Sequence, residues 1–320
     1  MQTVDELIKE KGIRMSPDSA WKASPTVRSY TDFSKLDLTG ISLQREARLI
    51  EPQVIHESSY MEFFPQEHDP LLEINRTFQN LRGLVEVSGD KTLRFAKNDT
   101  VIANIRIKLE KKSRLRIDLG EYKLFCMTLD VDCAGYSDSV LEVESRGSGI
   151  TYLRVRKRLG EGSKLVFMNR HIKDKFLFLD ADGVLGERSS LDSKIYVYAD
   201  SGAHYDCVQN ADHTGFDSRS NVIGRGVVDG PSSLIFRGML KIHKEKCSGN
   251  FATKTINMSS GDAFTDSVPM LDIKANNVIA RHSSAIENID KSELFYLASR
   301  GFEQKEASKL IIDSMLGVDE

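Results

Sequence analysis

Residues 78 to 285 form one long succession of short, strand-like segments, and this succession constrains the fold more than any other feature. Segments such as LRGLVEV, SRLRIDL, SKLVFMN and KFLFLDA alternate apolar with polar residues and are rich in Val, Ile, Leu and Phe. Gly, Asn, Asp or Ser separates them at intervals of roughly 10–15 residues. No helical period interrupts this range, which excludes βαβ units, because parallel strands there each need a crossover helix. The pattern predicts an all-β core, either a double sandwich or a β-helix of stacked coils, and stacked coils accommodate so many strands more easily.

Helical patterns flank this core on both sides. Within residues 1–77, VDELIKEKGI predicts a short amphipathic helix that ends at Gly12, and the rest of this mixed region has no motif that indicates a function. Near the C-terminus, Asp290 with Glu293 three residues later fits a capping box, and Gly301 fits the end of that helix. QKEASKLIIDSML predicts a second helix. We therefore divide the chain into an N-terminal mixed region (1–77), a β core (78–289) and a C-terminal helical pair (290–320).

The composition excludes several classes of function. The chain has 320 residues, of which 40% are hydrophobic and 28% charged, as in soluble globular proteins. The 44 basic and 47 acidic residues nearly balance, so nothing attracts the chain in bulk to nucleic acid or to a membrane surface. The sequence has no apolar run that would span a bilayer, and MQTVDELIKEKGIRM lacks a signal-peptide core. We expect a cytoplasmic protein that binds neither nucleic acid nor membrane.

The cysteines and histidines offer candidate metal ligands without a recognisable ligand spacing. The four cysteines lack paired CxxC spacing and are too few for a disulfide framework, so each also fits a small buried apolar residue. HKEKCSGN places His243 four residues before Cys247, and AHYDCVQNADH gathers His204, Cys207 and His213. Thiolate and imidazole are good ligands for iron or zinc. The same residues also fit a loop and a polar turn, and the spacing alone leaves both interpretations open.

FLFLDADGVLGE suggests an alternative function. An apolar strand that runs into Asp-x-Asp-Gly resembles the haloacid-dehalogenase phosphatases, in which Asp180 would attack phosphorus and Asp182 would handle the leaving-group proton beside Mg²⁺. That chemistry needs a parallel α/β sheet, and only short strands follow Gly186. Asp-Gly after a strand is also ordinary turn chemistry.

A basic segment, YLRVRKRLG, places Arg154, Arg156 and Arg158 on one face of a predicted strand. Nucleic-acid sites on strands usually interleave aromatic residues with the basic ones, and none is interleaved here. The pattern therefore favours the solvated outer face of a sheet.

From about residue 213 onwards the chain resembles the SufB/SufD family, the scaffold proteins of iron–sulfur cluster assembly. Three ordered segments carry the resemblance: HTGFDSRSNVIGRGVVDGPSSLIFRGMLKIHKEK, PMLDIKANNVIARHSSAIENID and ELFYLASRGFEQKEASKLIIDSM. The family has the same Ser-Arg pair, Phe/Tyr-Arg-Gly strand, strand ending in histidine and Leu-Phe-Tyr-Leu-x-x-Arg-Gly helix, in this order.

The resemblance implies a right-handed parallel β-helix that dimerises near its C-terminal coils. A transient iron–sulfur cluster of the [4Fe-4S] type would be built between two β-helical subunits and passed to apo iron–sulfur proteins. The second subunit would be another copy or a related SufB/SufD-like chain. The short length suggests a minimal, archaeal-type scaffold that forms a homodimer.

The family's histidine maps onto His282, which we expect near the end of the last strand. Where a SufB-like chain has a cluster-binding cysteine, this chain has Lys254. Cys247, a few residues earlier, is the first substitute ligand, and Cys207 is the second.

Three further positions beside His282 depart from the family. Arg281 and Ser283 stand where SufB-like chains have glutamates, and Ala280 stands where SufD-like chains often have a cysteine. Neither complete ligand set is therefore present.

The resemblance also implies that the C-terminal helices dock a SufC-like ABC ATPase. The residues expected at that contact are Leu294, Phe295, Tyr296, Leu297, Arg300, Gly301, Glu306, Ala307, Leu310 and Ile311. The chain contains no G-x-x-x-x-G-K-[ST] sequence, so we expect it to bind no nucleotide and to act as a scaffold, not as an enzyme.

Overall fold

Strands dominate the secondary structure of the part of the chain that the computed structural model describes. The described residues are 2–13, 15, 31, 33, 36–43, 47, 49–51, 70–96, 99–145, 147, 149–172, 174–258 and 262–317. The helices are α1 (Val4–Lys11), α2 (Pro70–Phe78), α3 (Lys291–Ser299) and α4 (Gln304–Met315). The strands are β1 (Leu49–Glu51), β2 (Leu81–Phe95), β3 (Thr100–Asp118), β4 (Leu124–Cys133), β5 (Asp138–Ser145), β6 (Ile150–Leu159), β7 (Lys164–Ile172), β8 (Phe176–Leu185), β9 (Ser190–Ala199), β10 (His204–His213), β11 (Arg219–Val228), β12 (Ser233–Ile242), β13 (Ser248–Asn257), β14 (Phe264–Ile273) and β15 (Ile279–Asn288).

The strands from β2 to β15 stack into a β-solenoid with two parallel sheets. The even sheet contains β4, β6, β8, β10, β12 and β14, and the odd sheet contains β5, β7, β9, β11, β13 and β15. The long strand β3 joins the two sheets, because its first half pairs with β4 and its second half pairs with β5. From β4 onwards, consecutive strands of the sequence therefore lie in opposite sheets, and each pair forms one coil. The predicted stack of coils is confirmed.

The corners between even and odd strands repeat from coil to coil. Each contains one residue with a positive φ, and these residues are Tyr136, Gly162, Arg188, Asp217, Lys246 and Asn277. Their amides bond to the neighbouring coil: the N–H of Gly162 donates to the Glu187 carbonyl at 2.8 Å, and the N–H of Arg188 donates to the Phe216 carbonyl at 2.8 Å. These backbone N–H groups of the corners therefore have hydrogen-bond partners within the protein and do not need water.

The interior between the two sheets is mainly apolar, with some buried polar side chains, and it contains one lysine. Lys157 is 1% exposed, and its Nζ lies 4.2 Å from the centroid of the Phe167 ring. No hydrogen-bond acceptor for this Nζ exists among the described residues. Burial lowers the pKa of Lys157 to about 8, against the opposing attraction of Asp182, Asp180 and Cys133. The interior therefore contains a titratable group that the sequence pattern did not single out.

The N-terminal elements cover part of the outer face of the even sheet. Apolar residues of α1, α2 and the segment around Phe33 pack against β4, β6 and β8. Asn75 of α2 donates to the backbone carbonyls of Ala103 and Cys126 at 3.1 and 3.0 Å. The predicted end of α1 is confirmed, since Gly12 has φ +67° and caps the helix.

The two ends of the solenoid differ. At the first coil, β1 pairs antiparallel with β2. At the last coil, β14 and β15 form the two ends of the strand order, so neither has a partner on its outer side among the described strands. The C-terminal helices follow β15 directly. No helix in the described ranges has both the length and the apolar character needed to cross a bilayer.

Candidate functional site

His282 occupies a core-facing position of the last coil. It pairs in register with Phe251 of β13, and paired residues of parallel strands point to the same side of the sheet. Phe251 and the preceding members of this column, Val222, Ser193 and Phe167, are buried between the sheets. His282 is exposed because no described strand follows β15. The imidazole therefore lies where the solenoid interior opens to its surroundings.

The expected position of His282 near the end of its strand is wrong. β15 continues to Asn288, which still pairs with Asn257, so His282 is the fourth residue of a ten-residue strand. The polar residues after His282 looked like the end of a strand. They remain in the ladder because β13 offers backbone partners along their whole length.

Hydroxyl side chains lie at interior positions of this open end as well. Ser284, two residues further along β15, pairs in register with Thr253, whose hydroxyl lies 2.7 Å from that of Ser267 on β14. In the preceding coils the corresponding positions are mainly apolar. No sequence motif marks these hydroxyl residues, although the period of two along β14 and β15 places them on the interior side.

The same end also exposes large apolar side chains. Ile279 of β15 is 62% exposed and Phe264 of β14 is 53% exposed, and Ile273 and Ile286 are exposed as well. Exposed apolar side chains beside two unpaired strand edges are typical of a surface that another chain covers.

Cys247 lies at a corner of the solenoid and is 1% exposed. Its Sγ is 3.4 Å from the Ser218 Oγ and 3.3 Å from the Gly215 carbonyl oxygen. Each earlier corner has a buried serine at this place, and these serines are Ser137, Ser163, Ser189 and Ser218. Cys247 precedes Phe251 by four residues, which is roughly 13 Å along a strand. One chain therefore does not bring Cys247 and His282 together around a single metal ion.

Cys207 does not lie beside either of the two histidines of β10. Cys207 is fully buried between the sheets, and burial raises the pKa of its thiol well above the ordinary value. His204 lies on the outer face, where its Nε2 is 3.1 Å from the Thr31 hydroxyl. His213 is buried between Ser218 and Ser220, each 2.8 Å from a ring nitrogen. Desolvation lowers the pKa of His213 to about 4.

The alternation of the strand separates His204 from Cys207, because residues 204 and 207 face opposite sides of β10. His213 shares the interior side with Cys207 but lies six residues further along, roughly 20 Å away. Within the described part of the chain, no group of three or more His, Cys, Asp or Glu side chains could hold a metal ion.

The family departures near His282 lie mostly on the outer face. Lys254, in place of the SufB-like cysteine, forms an ion pair with Glu287 at 3.0 Å. Arg281 and Ser283 are exposed on the side of β15 opposite His282, whereas Ala280 shares the interior side with His282. A carboxylate at position 281 or 283 would thus face away from the imidazole within this chain.

Asp180 and Asp182 do not form a phosphatase site. Both lie inside β8, on the outer face of the even sheet, and the parallel α/β sheet that the phosphatase mechanism needs is not the fold of the described residues. Asp180 forms an ion pair with Arg154 at 3.0 Å, and Asp182 lies 3.7 Å from Arg156. The alternative of a turn at this motif is also wrong, because β8 continues to Leu185. The predicted outer face is confirmed for the three arginines, and Arg158 pairs there with Asp132 at 2.6 Å. The prediction that this face is solvated is wrong for Arg154, which is only 4% exposed.

The C-terminal helices present an exposed apolar surface. Asp290 caps α3 by accepting a hydrogen bond from the Ser292 N–H at 2.7 Å, and α3 buries none of its side chains. Phe295 is 77% exposed and Tyr296 is 56% exposed. A groove between α3 and α4 is lined by Ser292, Glu293, Tyr296, Leu297 and Ile311.

Most of the other residues expected at a partner contact are also accessible. Arg300, Gly301, Glu306 and Leu310 are exposed, and Leu294 is partly exposed. Ala307 differs, because it is fully buried within this chain. Its side chain contributes to the packing of α4 and is not available to a partner.

Comparison with known proteins finds one matching family model and several relatives of this chain. A family model described as "SUF system FeS cluster assembly, SufBD core domain" matches residues 139–315, more than half of the chain. An iron–sulfur cluster assembly SufBD family protein of Mycobacterium leprae is 30% identical over 129 residues, which are 38% of this chain and 33% of that protein. The iron–sulfur cluster assembly protein SufD of Bacillus subtilis is 32% identical over 105 residues, which are 32% of this chain and 24% of that protein. A second Mycobacterium leprae SufBD family protein is 24% identical over 165 residues, which are 49% of this chain and 18% of that protein. The matched segments thus span at most a third of these relatives' own lengths.

Proposed function

Since this chain belongs to the SufBD family of the SUF iron–sulfur assembly system, we propose that it is a scaffold on which a nascent iron–sulfur cluster is built. The observation that best supports this proposal is the position of His282, a core-facing residue that is exposed at the unpaired last coil. In this proposal the cluster is cargo, of the [4Fe-4S] type, and apo iron–sulfur proteins receive it in the cytoplasm. Neutral imidazole is a suitable iron ligand, and the open end gives iron and sulfide access to it.

A second β-helical subunit completes the site in this proposal. The bare edges of β14 and β15 and the exposed side chains of Ile279 and Phe264 favour coverage by another chain. A second copy would bring a second His282 to the same interface. A homodimer is the arrangement that we propose, and a related SufB/SufD-like subunit would take the same place.

We also propose the two cysteines predicted from the sequence as ligands, and they differ in how easily their thiols become accessible. Cys247 lies at a corner beside the last coil, and a local opening of the turn around Lys246 would expose its thiol. Cys207 lies in the middle of the interior, so its thiol would reach iron only after two coils separate. We therefore propose His282 as the first ligand, Cys247 as the second, and Cys207 last.

The exposed surface of α3 and α4 is the proposed docking site of a SufC-like ABC ATPase. Phe295, Tyr296 and Leu310 offer apolar anchors, and Arg300 and Glu306 offer charged contacts. Because α3 follows β15 directly, a partner that moves α3 would act on the end of the strand that carries His282. ATP hydrolysis would be the partner's reaction, and this chain would supply the scaffold.

Anaerobic reconstitution with iron and sulfide tests the proposal. The wild-type protein should develop the visible charge-transfer absorption of an iron–sulfur cluster, and His282→Ala should weaken or destabilise it. His204→Ala is the matched control, because His204 is also partly exposed and lies on the outer face of β10, two coils before the last. Equal chromophores in the wild type and His282→Ala would remove His282 from the ligand set, and no chromophore in any of the proteins would refute the scaffold function.

A further inference from the structure

The far end of α4 is anchored on the side of the solenoid. Met315 and Leu316 are buried against Tyr196 of β9, Val227 of β11 and Ile256 of β13. These three residues lie on the outer face of the odd sheet. The second helix of the C-terminal pair is therefore part of the folded core, in contrast to α3.

A hydrogen bond between an arginine and a glycine adds to this contact. The Arg170 Nη2 donates to the Gly317 carbonyl oxygen at 2.9 Å, and the Arg170 guanidinium lies 5.5 Å from the centroid of the Tyr196 ring. The Nη1 of Arg170 is also 3.9 Å from a carboxylate oxygen of Glu144. We call Arg170, Tyr196 and Gly317 the latch.

Two features of its position in the latch favour glycine at residue 317. Its φ is +60°, a conformation that side chains other than glycine adopt with strain. A Cβ at this position would also lie 3.1 Å from two ring atoms of Tyr196. A side chain at this position would therefore crowd the Tyr196 ring, so either the ring or the end of α4 would have to shift.

The latch gives the helical pair a second point of attachment. The first is the chain connection from β15 into α3. In the odd sheet, β7 with Arg170 lies four strands before β15, which is roughly 19 Å at the usual strand spacing. The 12 residues of α4 are about 18 Å long, so the helix can bridge this span. A body held at two separated points has a defined orientation, whereas one held only at residues 289–290 could swing.

We propose that Arg170 and Gly317 are positioning residues, which hold α4 on the odd sheet so that the exposed helix α3 is presented in one orientation beside the last coil. This inference rests on the proposed function in one respect, namely that α3 is the surface that docks the ATPase. Loss of the latch leaves the docking residues intact and lowers the fraction of molecules whose α3 is correctly placed.

Distance measurement between spin labels tests the latch without any partner. One label is placed at Ser299→Cys, at the exposed end of α3, and the other at Lys164→Cys, at the exposed start of β7. The four native cysteines are buried thiols, so labelling is selective for the new positions. The labelled parent should give a narrow distance distribution, and Arg170→Ala and Gly317→Ala should each broaden it.

Two further variants control this experiment. Arg156→Ala removes an arginine from the outer face of the other sheet and should leave the distribution narrow. Arg170→Lys keeps a donor for the Gly317 carbonyl but loses the planar contact with Tyr196, and should give an intermediate width. Distributions as narrow in Arg170→Ala and Gly317→Ala as in the parent would overturn the proposal.

Binding of the purified SufC-type ATPase from the same organism separates the latch from the proposed function. Arg170→Ala should bind it roughly tenfold more weakly than the wild type, because only a fraction of the molecules presents α3 correctly. Equal affinity together with broadened distances would refute the positioning role. If the wild type fails to bind the ATPase, the docking part of the proposed function fails, while the label distances still decide whether the latch exists.

Discussion

Replacing Lys157 by methionine should stabilise the protein, and the gain should disappear at high pH. Lys157 places an ammonium group inside the solenoid, where Phe167 is its neighbour and the described residues provide no hydrogen-bond acceptor. Methionine has a similar length and needs no acceptor, so it keeps the packing and removes the buried charge.

The magnitude follows from the pKa of Lys157, which burial lowers from 10.5 to about 8. One pKa unit corresponds to about 1.36 kcal/mol, so the shift corresponds to roughly 3 kcal/mol of destabilisation in the wild type. Below pH 8 both the folded and the unfolded state bind the proton, and the cost is fully present. Between pH 8 and 10.5 only the unfolded state remains protonated, so the stability of the wild type rises with pH relative to the variant. Above pH 10.5 the difference vanishes.

Urea unfolding of both proteins at several pH values between 7 and 10.5 measures this difference. Lys157→Met should be more stable by about 3 kcal/mol at pH 7, and the gap should close as the pH rises. Lys241→Met is the matched control, because Lys241 is exposed on the outer face and should show no such trend. A constant difference between the wild type and Lys157→Met over the whole range would refute the reasoning about the buried ammonium.

Three further substitutions probe the fold. Asp180→Asn removes the charge that faces the buried Arg154 at 3.0 Å, and it should lower the free energy of unfolding in urea by about 3 kcal/mol. We expect no phosphatase activity in either protein. An unchanged urea midpoint would show that the ion pair contributes nothing to stability. Gly238→Ala places a Cβ 1.8 Å from the Gln209 carbonyl oxygen and should destabilise the protein by about 3 kcal/mol or more, measured by thermal unfolding. An unchanged melting temperature would contradict the close approach of β10 and β12. His213→Gln should reduce the acid sensitivity, because the folded pKa of His213 is about 4 and the ordinary value is 6.5. The wild type should lose up to about 3 kcal/mol relative to this variant as the pH falls from 6.5 to 4, and parallel pH profiles would exclude His213 as the cause.

The architecture could be predicted from local patterns because the side-chain period of a strand is a local property. The alternation in KFLFLDA and the polar residues between strands determine which side chains face the interior and where a corner forms. The lack of a helical period was sufficient to exclude crossover helices. The alternation did not reveal that the strand after KFLFLD continues through Gly183, since Asp-Gly is equally common in turns.

The candidate site was only partly predictable. The resemblance drew attention to His282, and the pairing of β15 with β13 places it on the interior side of the last coil. Its exposure follows from the tertiary structure and not from the sequence pattern, because no described coil follows β15. The same holds for Cys247, whose burial follows from its place in a column of serines that are each a whole coil apart.

The sequence by itself determined the strand succession, the interior and exterior sides of each strand, and the two helices at the C-terminus. Only the tertiary structure decided which partners these residues have. Arg154 meets Asp180 from the next coil, and Arg170 meets Gly317 at a separation of 147 positions. The physical reason is that stacking brings together residues one or more coils apart, and no local pattern records which of them will be neighbours.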